Sequence, residues 1–600
     1  MDGSHQGTGV AHALALLRRG DALAAYDALA GGRDTSPSDE AQAALALVLD
    51  RLGHTDAAAA RWREIVARRP GDAEALGNLA SLAKRRALGL RDAAARRAGL
   101  QEALAAYERA ARAPQAGHWC ATNVAALRRL LGDASGAREA AARAHDDATR
   151  AALGDDPLEP LWRDGSLAES ALLLGREAHA LELCTTLRTR CRAAGLHEVL
   201  VSLRRNLEQL ASAQVPGASA CAELLAAPAV AVFAGQRVES LAQGGAALDL
   251  DDLQRRIASV LARTDAALGW SALADGGDLL FQRALHDAGG ATRVVLPFDL
   301  ETFLETSVAP AYREDALRAR AAAQRYVECA RSAPESLDAA LRFANRYAEG
   351  AALLEARRLG ARCVRIALWD GRPARGGGGT GETVAAWLAA GHQVHVVDPR
   401  DATRERVEST PRADTARAVD ADVTGLLFAD VKGFSKLDDR HSRWFVEEYM
   451  GVVADGLAPH RGSLFQTETW GDAIFAASRD LGALGRAALD VQQRLASDAR
   501  LAALPADDAR RALTLRVALH AGPVLEVLDP VTRRRRIAGA HISHAARIEP
   551  IVPPGDVFAS EAFAALAACA GESAFDCLFV GTLPLAKSFG AFPTYRVVAR

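Results

Sequence analysis

No apolar run in this 600-residue chain reaches the length of a membrane-spanning helix, no two cysteines form a C-x-x-C pair, and lysine is nearly missing. A spanning helix needs roughly 20 consecutive apolar residues, so no membrane partner is expected. The eight cysteines, at 120, 184, 191, 221, 329, 363, 569 and 577, lack zinc or redox spacing, and reduced thiols are expected. Residues Met1 to Gly9 are polar and carry no signal-peptide core, which predicts a cytoplasmic protein. The formal net charge is only −3, so nothing in the overall charge points to DNA, RNA or an anionic membrane. Basic charge resides in arginine; lysine occurs only as Lys84, Lys432, Lys436 and Lys587, three of them in the last third. The composition that remains, 50% hydrophobic and 24% charged, describes a globular chain of three or four domains.

Residues 10 to about 215 read as successive helices. Apolar stripes at helical spacing are broken at Arg19-Gly20-Asp21, Leu52-Gly53-His54, Pro70-Gly71-Asp72 and Leu131-Gly132-Asp133. Alanine dominates the stripes, and small side chains let paired helices approach closely. The stretches Leu52 to Ala60, Pro70 to Ala75 and Leu131 to Ala140 resemble tetratricopeptide repeats. That resemblance implies stacked helix pairs over 1–222 with a concave face for a protein partner. Spacing between 85 and 115 is irregular, so an array is expected without a strict period of about 34 residues. Trp62, Trp119 and Trp162 are expected in its core.

From about 226, strands alternate with helices. Pro228 to Gly235 reads as a buried strand, followed by a helix over 250–267 and by Trp270-Ser271-Ala272 leading to Gly276 and a second helix. Strands Thr292 to Leu296, Cys363 to Leu368 and Gln393 to Val397 follow, the last two flanking a helix that ends at Ala390. This alternation predicts a parallel, doubly wound sheet over 226–399. Ligands of such sheets bind beyond the carboxyl ends of the strands, where Gly235, Ser271, Gly276 and the glycines of 376–380 fall. Gly378-Gly379-Thr380-Gly381-Glu382 opens a helix and can cradle a phosphate with backbone N–H groups; a plain glycine turn fits the same residues. The run Arg375 to Glu382 resembles the lysine-decarboxylase-like and DprA-like Rossmannoid family. The resemblance implies a small nucleotide-like ligand held by Gly378, Gly379, Thr380 and Glu382. No complete catalytic Arg and Glu set accompanies the loop, so sensing is expected, with hydrolysis of a nucleotide or N-glycosidic bond as the alternative. Residues 400–420 are polar, lack an apolar period and read as a linker.

The last third, 421–600, reads as an α+β unit on a ferredoxin-like core. The order is strand 423–430, helix 437–458, strands 463–469 and 473–478, helix 481–498 and strand 513–520. A loop through Arg533 to Arg536, a helix 541–550 and strands near 556–559, 575–580 and 594–598 complete it. Asp430 ends the first strand and Asp472 sits in the turn before 473–478. A carboxylate ending an apolar strand is costly unless solvated, paired or holding a cation. The split β-α-β order places the start of 473–478, antiparallel, beside the end of 423–430, which brings the two carboxylates to one place.

Four ordered motifs here resemble class III nucleotide cyclases: Phe428 to Ser435, Thr469 to Ala473, Leu515 to Val524, and Gly539 through Arg547 to Ser560. The resemblance implies that Asp430, Asp472 and the Val431 carbonyl hold two divalent cations, Mg²⁺ or Mn²⁺. It implies phosphate contacts from the turn Lys432, Gly433 and Phe434 and from Lys587. It further implies a head-to-tail homodimer in which the partner copy supplies Arg547 at the transition state. GTP or ATP would become cyclic GMP or cyclic AMP plus pyrophosphate, under control of the upstream domains. Two positions depart from the pattern. Ser543 stands where the family positions ribose with asparagine. Glu468 matches guanylyl-type members, but its partner position falls on or near Arg536, which suits neither type. Base choice stays open between GTP and ATP, and a scaffold that binds nucleotide without converting it is the alternative.

Overall fold

The computed structural model describes residues 3–18, 25–26, 28–29, 38–113, 116–152, 154, 156–242, 249–331, 336–373, 377–401, 405–409, 423–505, 508–584 and 591–600. Two compact units divide the chain, Met1–Ala227 and Pro228–Arg600.

Regular structure among the described residues of the first unit is helical, from Gly3–Arg18 to Ala218–Leu224. The Gly-Asp breaks at Asp72 and Asp133 work as the sequence suggests, whereas Arg19-Gly20-Asp21 lies outside the described residues. Asp72, Asp92 and Asp133 cap the helices Ala73–Leu88, Ala93–Arg112 and Ala134–Arg150, each accepting from a first-turn amide at 2.9, 2.7 and 2.8 Å. Gly53 and Gly132 turn the chain at φ 83° and 92°, a region that favours glycine. Neighbouring helices close on alanine, with Ala80, Ala103, Ala125 and Ala141 fully buried. Trp62 lies in the core as expected, whereas Trp162 is 37% exposed. It falls in the first turn of the helix Glu159–Leu173.

The second unit holds two seven-stranded sheets. The first contains β1 (Ala229–Gly235), β2 (Ala266–Ser271), β3 (Ala291–Leu296), β4 (Arg325–Glu328), β5 (Cys363–Leu368), β6 (Val394–Val397) and β7 (Glu405–Glu408), in the order β4-β3-β2-β1-β5-β6-β7. Pairs from β1 to β6 are parallel, and β7 closes the edge antiparallel to β6. Strand order reverses at β1, the switch point of a doubly wound sheet. Three expectations are corrected. The helix expected to 267 ends at Thr264, because Asp265 takes φ 54° and the chain enters β2. β4 and the helix Leu337–Arg358 emerge between the expected strands. The stretch read as a linker contributes β7, whose short Arg406-Val407 alternation pairs with β6; residues 402–404 and 410–422 lie outside the described set.

The second sheet contains β8 (Thr424–Lys432), β9 (Leu464–Trp470), β10 (Ala473–Ser478), β11 (Thr514–Gly522), β14 (Val557–Ser560), β15 (Phe575–Pro584) and β16 (Ala591–Ala599), in the order β15-β16-β14-β11-β8-β10-β9. A separate hairpin, β12 (Leu525–Leu528) and β13 (Arg535–Ala538), replaces the expected loop through Arg533–Arg536, so Arg536 is a strand residue facing Val527. β8 is central and apolar on both faces, as burial between β11 and β10 requires.

Inside this unit the two sheets are joined by helix packing. Leu337–Arg358 lies against Glu561–Cys569, and a Cβ on Gly350 would stand 2.0 Å from the Ala565 carbonyl oxygen. The buried carboxylate of Glu561 accepts from Arg325 and Tyr347 of the first sheet's half, and from Tyr595 on β16 at 3.2 Å.

Candidate functional site

Asp430 lies near the carboxyl end of β8 and Asp472 in the β9–β10 turn. β10 runs antiparallel to β8 with Ala473 opposite Asp430, so the neighbouring Asp472 is carried to the same sheet end. Gly471 makes the turn possible at φ 65°. The Asp472 carboxyl is pushed above the usual carboxylate range, first by burial and then by the negative charge of Asp430.

On the other side of β8, Arg516 of β11 stands directly opposite Asp430. Its guanidinium donates to Asp430 Oδ2 at 2.7 Å, donates to the Pro550 carbonyl at 3.3 Å and lies 2.8 Å from Glu549 Oε1. Glu549 ends the helix Ala540–Ile548. Burial raises its carboxyl to about 7, with Asp430 and Asp472 adding to the rise and Arg516 opposing it. Three carboxylates therefore feel one another around one guanidinium. Arg516 Nε and Glu549 Oε1 are buried without an aligned hydrogen bond, which is costly unless a further group completes the set.

After Val431 the backbone turns. Gly433, at φ 96°, begins a 3₁₀ turn over Phe434–Lys436, and Phe434 is fixed by ring contact with Phe445, centroids 4.5 Å apart. Lys432 closes β8 opposite Thr514, and the amides of Gly433 and Phe434 follow it in the turn. Lys432 is exposed.

Glu468 lies on β9 across from Phe475, two residues from Gln466, whose amide donates to Glu468 Oε1 at 2.7 Å. Gln466 also accepts from the Ile537 amide at 3.2 Å, tying β13 to β9. Arg536 is raised mainly by its 2.7 Å bond to Asp529, and Glu468 acts on it from farther off. Ser543 and Arg547 lie one turn apart on the helix Ala540–Ile548, whose opposite face buries Ala545 and Ile548. Ser543 is exposed. Lys587 lies outside the described residues.

Among the described residues, no group of three or more His, Cys, Asp or Glu side chains is arranged as a closed metal cage. The donors available are two carboxylates and the Val431 carbonyl. Hard oxygens of this kind suit Mg²⁺ or Mn²⁺, and the mutual repulsion of Asp430 and Asp472 favours a cation between them. The residues fit such ions.

At the first sheet, Gly235 meets Gly277 so closely that a Cβ on it would lie 2.5 Å from the Gly277 Cα, and a Cβ on Gly276, at φ 93°, would lie 2.6 Å from the Gln236 carbonyl. Ser271 is buried, accepting from Gln282 at 2.7 Å. In the glycine loop, Gly378 N–H donates to Glu382 at 2.5 Å and Gly377 N–H to Asp338 at 3.0 Å. Gly379 precedes the first residue, Thr380, of the helix Thr380–Ala389. An anion here would have to displace two carboxylates from the amides it needs. Gly376 lies outside the described residues.

The model of the Tetratricopeptide Repeats-Sensor family matches residues 12–128. No curated protein matches the sequence. Solved structures similar to part of the chain include the guanylate cyclase domain of RhGC from Catenaria anguillulae in complex with GTP. It is 16% identical, with 30% of this chain and 97% of that one covered at TM-score 0.25. The adenylyl cyclase CyaB from P. aeruginosa is 16% identical over 30% of this chain and 94% of its own, at TM-score 0.25. An adenylate cyclase from Trypanosoma brucei in its monomeric state is 19% identical over 31% and 93%, at TM-score 0.24.

Arg516 and Glu549 fall within the sequence motifs, but the motifs alone assign them no role. Their signal was faint: Arg516 is a cation within the otherwise apolar strand Leu515-Arg516-Val517-Ala518-Leu519, and Glu549 immediately precedes a proline.

Proposed function

We propose that the last third of the chain is a nucleotide cyclase, converting GTP or ATP into the 3′,5′-cyclic monophosphate and pyrophosphate. The observation that carries this reading is the meeting of Asp430 and Asp472 at one sheet end, around Arg516 and beside a tight backbone turn. The four motifs that resemble class III cyclases support it.

In this reading Asp430, Asp472 and the Val431 carbonyl would hold two divalent cations. When bound, the ions supply charge for the 3′-oxyanion and for the phosphates. The 3′-oxygen forms a bond to the α-phosphorus while the bond from that phosphorus to the pyrophosphate oxygen breaks. The 3′-hydroxyl proton leaves to solvent and the electron pair departs with pyrophosphate. The amides of Lys432 to Phe434 orient the β- and γ-phosphates, as backbone N–H groups in a tight turn can. Lys587 and Arg516 add positive charge there. Glu468 accepts from a purine donor edge, which favours guanine N1–H and N2–H₂, and Arg536 flanks it. Ser543 positions ribose with a shorter reach than asparagine, and Arg547 of a second copy neutralises charge on the pentavalent phosphorus. Homodimerisation is therefore part of the proposal. The exposed apolar residues Leu525, Val527, Leu528 and Val531 on and beside the β12–β13 hairpin offer a surface for it.

Upstream, the helical repeats bind a protein partner and the doubly wound sheet receives a small nucleotide-like ligand, both governing cyclase pairing in a cytoplasmic protein. One specific observation favours a second reading: Ser543 replaces the ribose-positioning amide, as suits a scaffold that binds nucleotide without turning it over. Purified full-length protein incubated separately with GTP and ATP, in Mg²⁺ and in Mn²⁺, separates the two. Cyclic product supports the enzyme; saturable nucleotide binding without product supports the scaffold.

A further inference from the structure

A cavity of about 960 Å³ opens among the helices His118–Leu130, Ala134–Arg150, Glu159–Leu173 and His197–Ser212 of the first unit. That size suits a segment of a few residues better than a lone ion. Glu169 lines the cavity, although it is only 6% exposed. Asn206 donates to Glu169 Oε1 at 2.9 Å, and the carboxylate has no other hydrogen bond among the described residues. Burial raises its carboxyl; the Lys84 ammonium opposes that rise without forming an ion pair with it. Lys84 is itself buried and donates to Asn123 at 2.9 Å. A buried carboxylate with one oxygen unused is costly, and a charged donor entering through the cavity would relieve it.

The surrounding charge has one sign. Asp147, Asp156 and Glu159 line the same cavity, against the single guanidinium of Arg150, which bonds Asp146 at 3.2 Å. Asp147 is exposed and forms no ion pair among the described residues. Burial holds His118, also at the cavity, below the usual histidine range, so it adds no charge near neutral pH. A phosphate would therefore meet four carboxylates. Trp162, 37% exposed, and Trp119 complete the lining. Indole faces attract a guanidinium by stacking and by their quadrupole. We propose that this cavity receives an arginine of an extended segment of a partner protein, its guanidinium on Glu169 and its plane against Trp162. Arginine suits the site better than lysine because one planar group both donates to the carboxylate and stacks on indole. The inference rests on the reading that the helical repeats bind a protein partner.

Pools of N-acetylated heptapeptide amides, randomised except at the fourth position, test this on the immobilised full chain, with retained peptides counted by mass spectrometry. The fourth position is arginine, citrulline or glutamate; citrulline keeps the shape of arginine without its charge. The arginine pool is retained about tenfold over the citrulline pool. Glu169→Gln removes that preference. Lys84→Met/Glu169→Gln, which leaves no unpaired buried charge, is run beside it and gives the same loss. Asp147→Asn and Trp162→Ala change exposed side chains and each reduce the preference about two- to fivefold. An arginine preference that persists unchanged in both Glu169 variants overturns the proposal. Agmatine displacing the retained peptides at equal concentration would mark a free guanidinium compound as the occupant and overturn the peptide. If peptides are retained with no preference for arginine, the partner reading stands and this inference falls. If no pool is retained above blank resin, the partner reading falls and this inference with it.

Discussion

Asp430 and Arg516 are register partners on β8 and β11, and Ala473 occupies the register position on the other side of Asp430. The carboxylate is thus fixed by a central strand with a neighbour on each side, which limits how far it can drift. Sites built on sheet strands hold reacting groups more closely than sites on loops. The Arg516 guanidinium, at the end of a long side chain, has rotamer freedom that this backbone lacks.

Ser543 is exposed on the helix that also bears Arg547, so replacing it should not disturb packing. Ser543→Asn is expected to raise turnover by about ten- to a hundredfold, because better ribose alignment lowers the cost of reaching the attack geometry. Melting temperature should stay unchanged. Steady-state cyclisation kinetics and thermal unfolding of the same preparations check both.

Glu468 lies beside Gln466 and within the electrostatic reach of Arg536. Glu468→Lys removes the acceptor for a guanine donor edge and adds a donor near an arginine. The ratio of kcat/KM for GTP to that for ATP is expected to fall by about tenfold or more, since an unpaired buried donor on guanine is penalised. Parallel assays with the two nucleotides read the ratio.

Two imidazoles of the helix that carries Arg547, His541 and His544, stack on His520 of β11. His520 Nδ1 bonds Ser560 Oγ at 2.7 Å, His520 Nε2 bonds His541 Nδ1 at 2.9 Å, and the His544 ring lies 4.4 Å from that of His520. Burial pushes His541 and His544 down to about 4 and holds His520 well below the usual histidine range. A lowered folded-state value means that the fold favours the neutral ring. The stabilisation is complete above about pH 6.5 and is lost as pH falls from there toward 4, on the order of 3 kcal/mol for His541. Urea unfolding at pH 7.5 and pH 5 should show this loss, and His544→Phe should reduce the difference.

Gly350 and Ala565 mark the closest approach of the helices Leu337–Arg358 and Glu561–Cys569. Gly350→Val places side-chain atoms against backbone that cannot yield, and should cost about 1–3 kcal/mol through overpacking. Because Phe343 on the same helix packs edge-on to His541 at 5.5 Å, turnover should fall with it. Thermal unfolding and cyclisation rates measured together check the pairing.

How legible this molecule was in its sequence differs by element. The β8–β10 pairing could be read from strand order, because a buried central strand leaves few choices of partner. The capped helices from 39 to 150 were legible for a similar reason: Asp72 and Asp133 signal their own starts. β2 was hidden because Ala266-Ala267-Leu268 continues a helical composition, and only the left-handed Asp265 breaks it. The β12–β13 hairpin was hidden because its arginine-rich strand is exposed and carries no apolar alternation. The helix Glu561–Cys569 carries no helical signal in the sequence, since its uniform alanine and apolar content shows no polar face when both sides are covered. Arg516 and Glu549 were visible as residues but not as a pair, because their meeting depends on β11 lying next to β8 and on where the helix Ala540–Ile548 ends.

In the proposed reaction Asp430 and Asp472 act together on a metal-bound nucleotide. Its most direct measurement is the yield of cyclic nucleotide from GTP and from ATP with Mn²⁺, resolved by mass spectrometry, for the full chain and for Asp430→Asn and Asp472→Asn. Product is expected from the unmodified chain, with a fall of about a hundredfold or more in each variant and far-UV circular dichroism unchanged. Product formation at the same rate in both variants would contradict it.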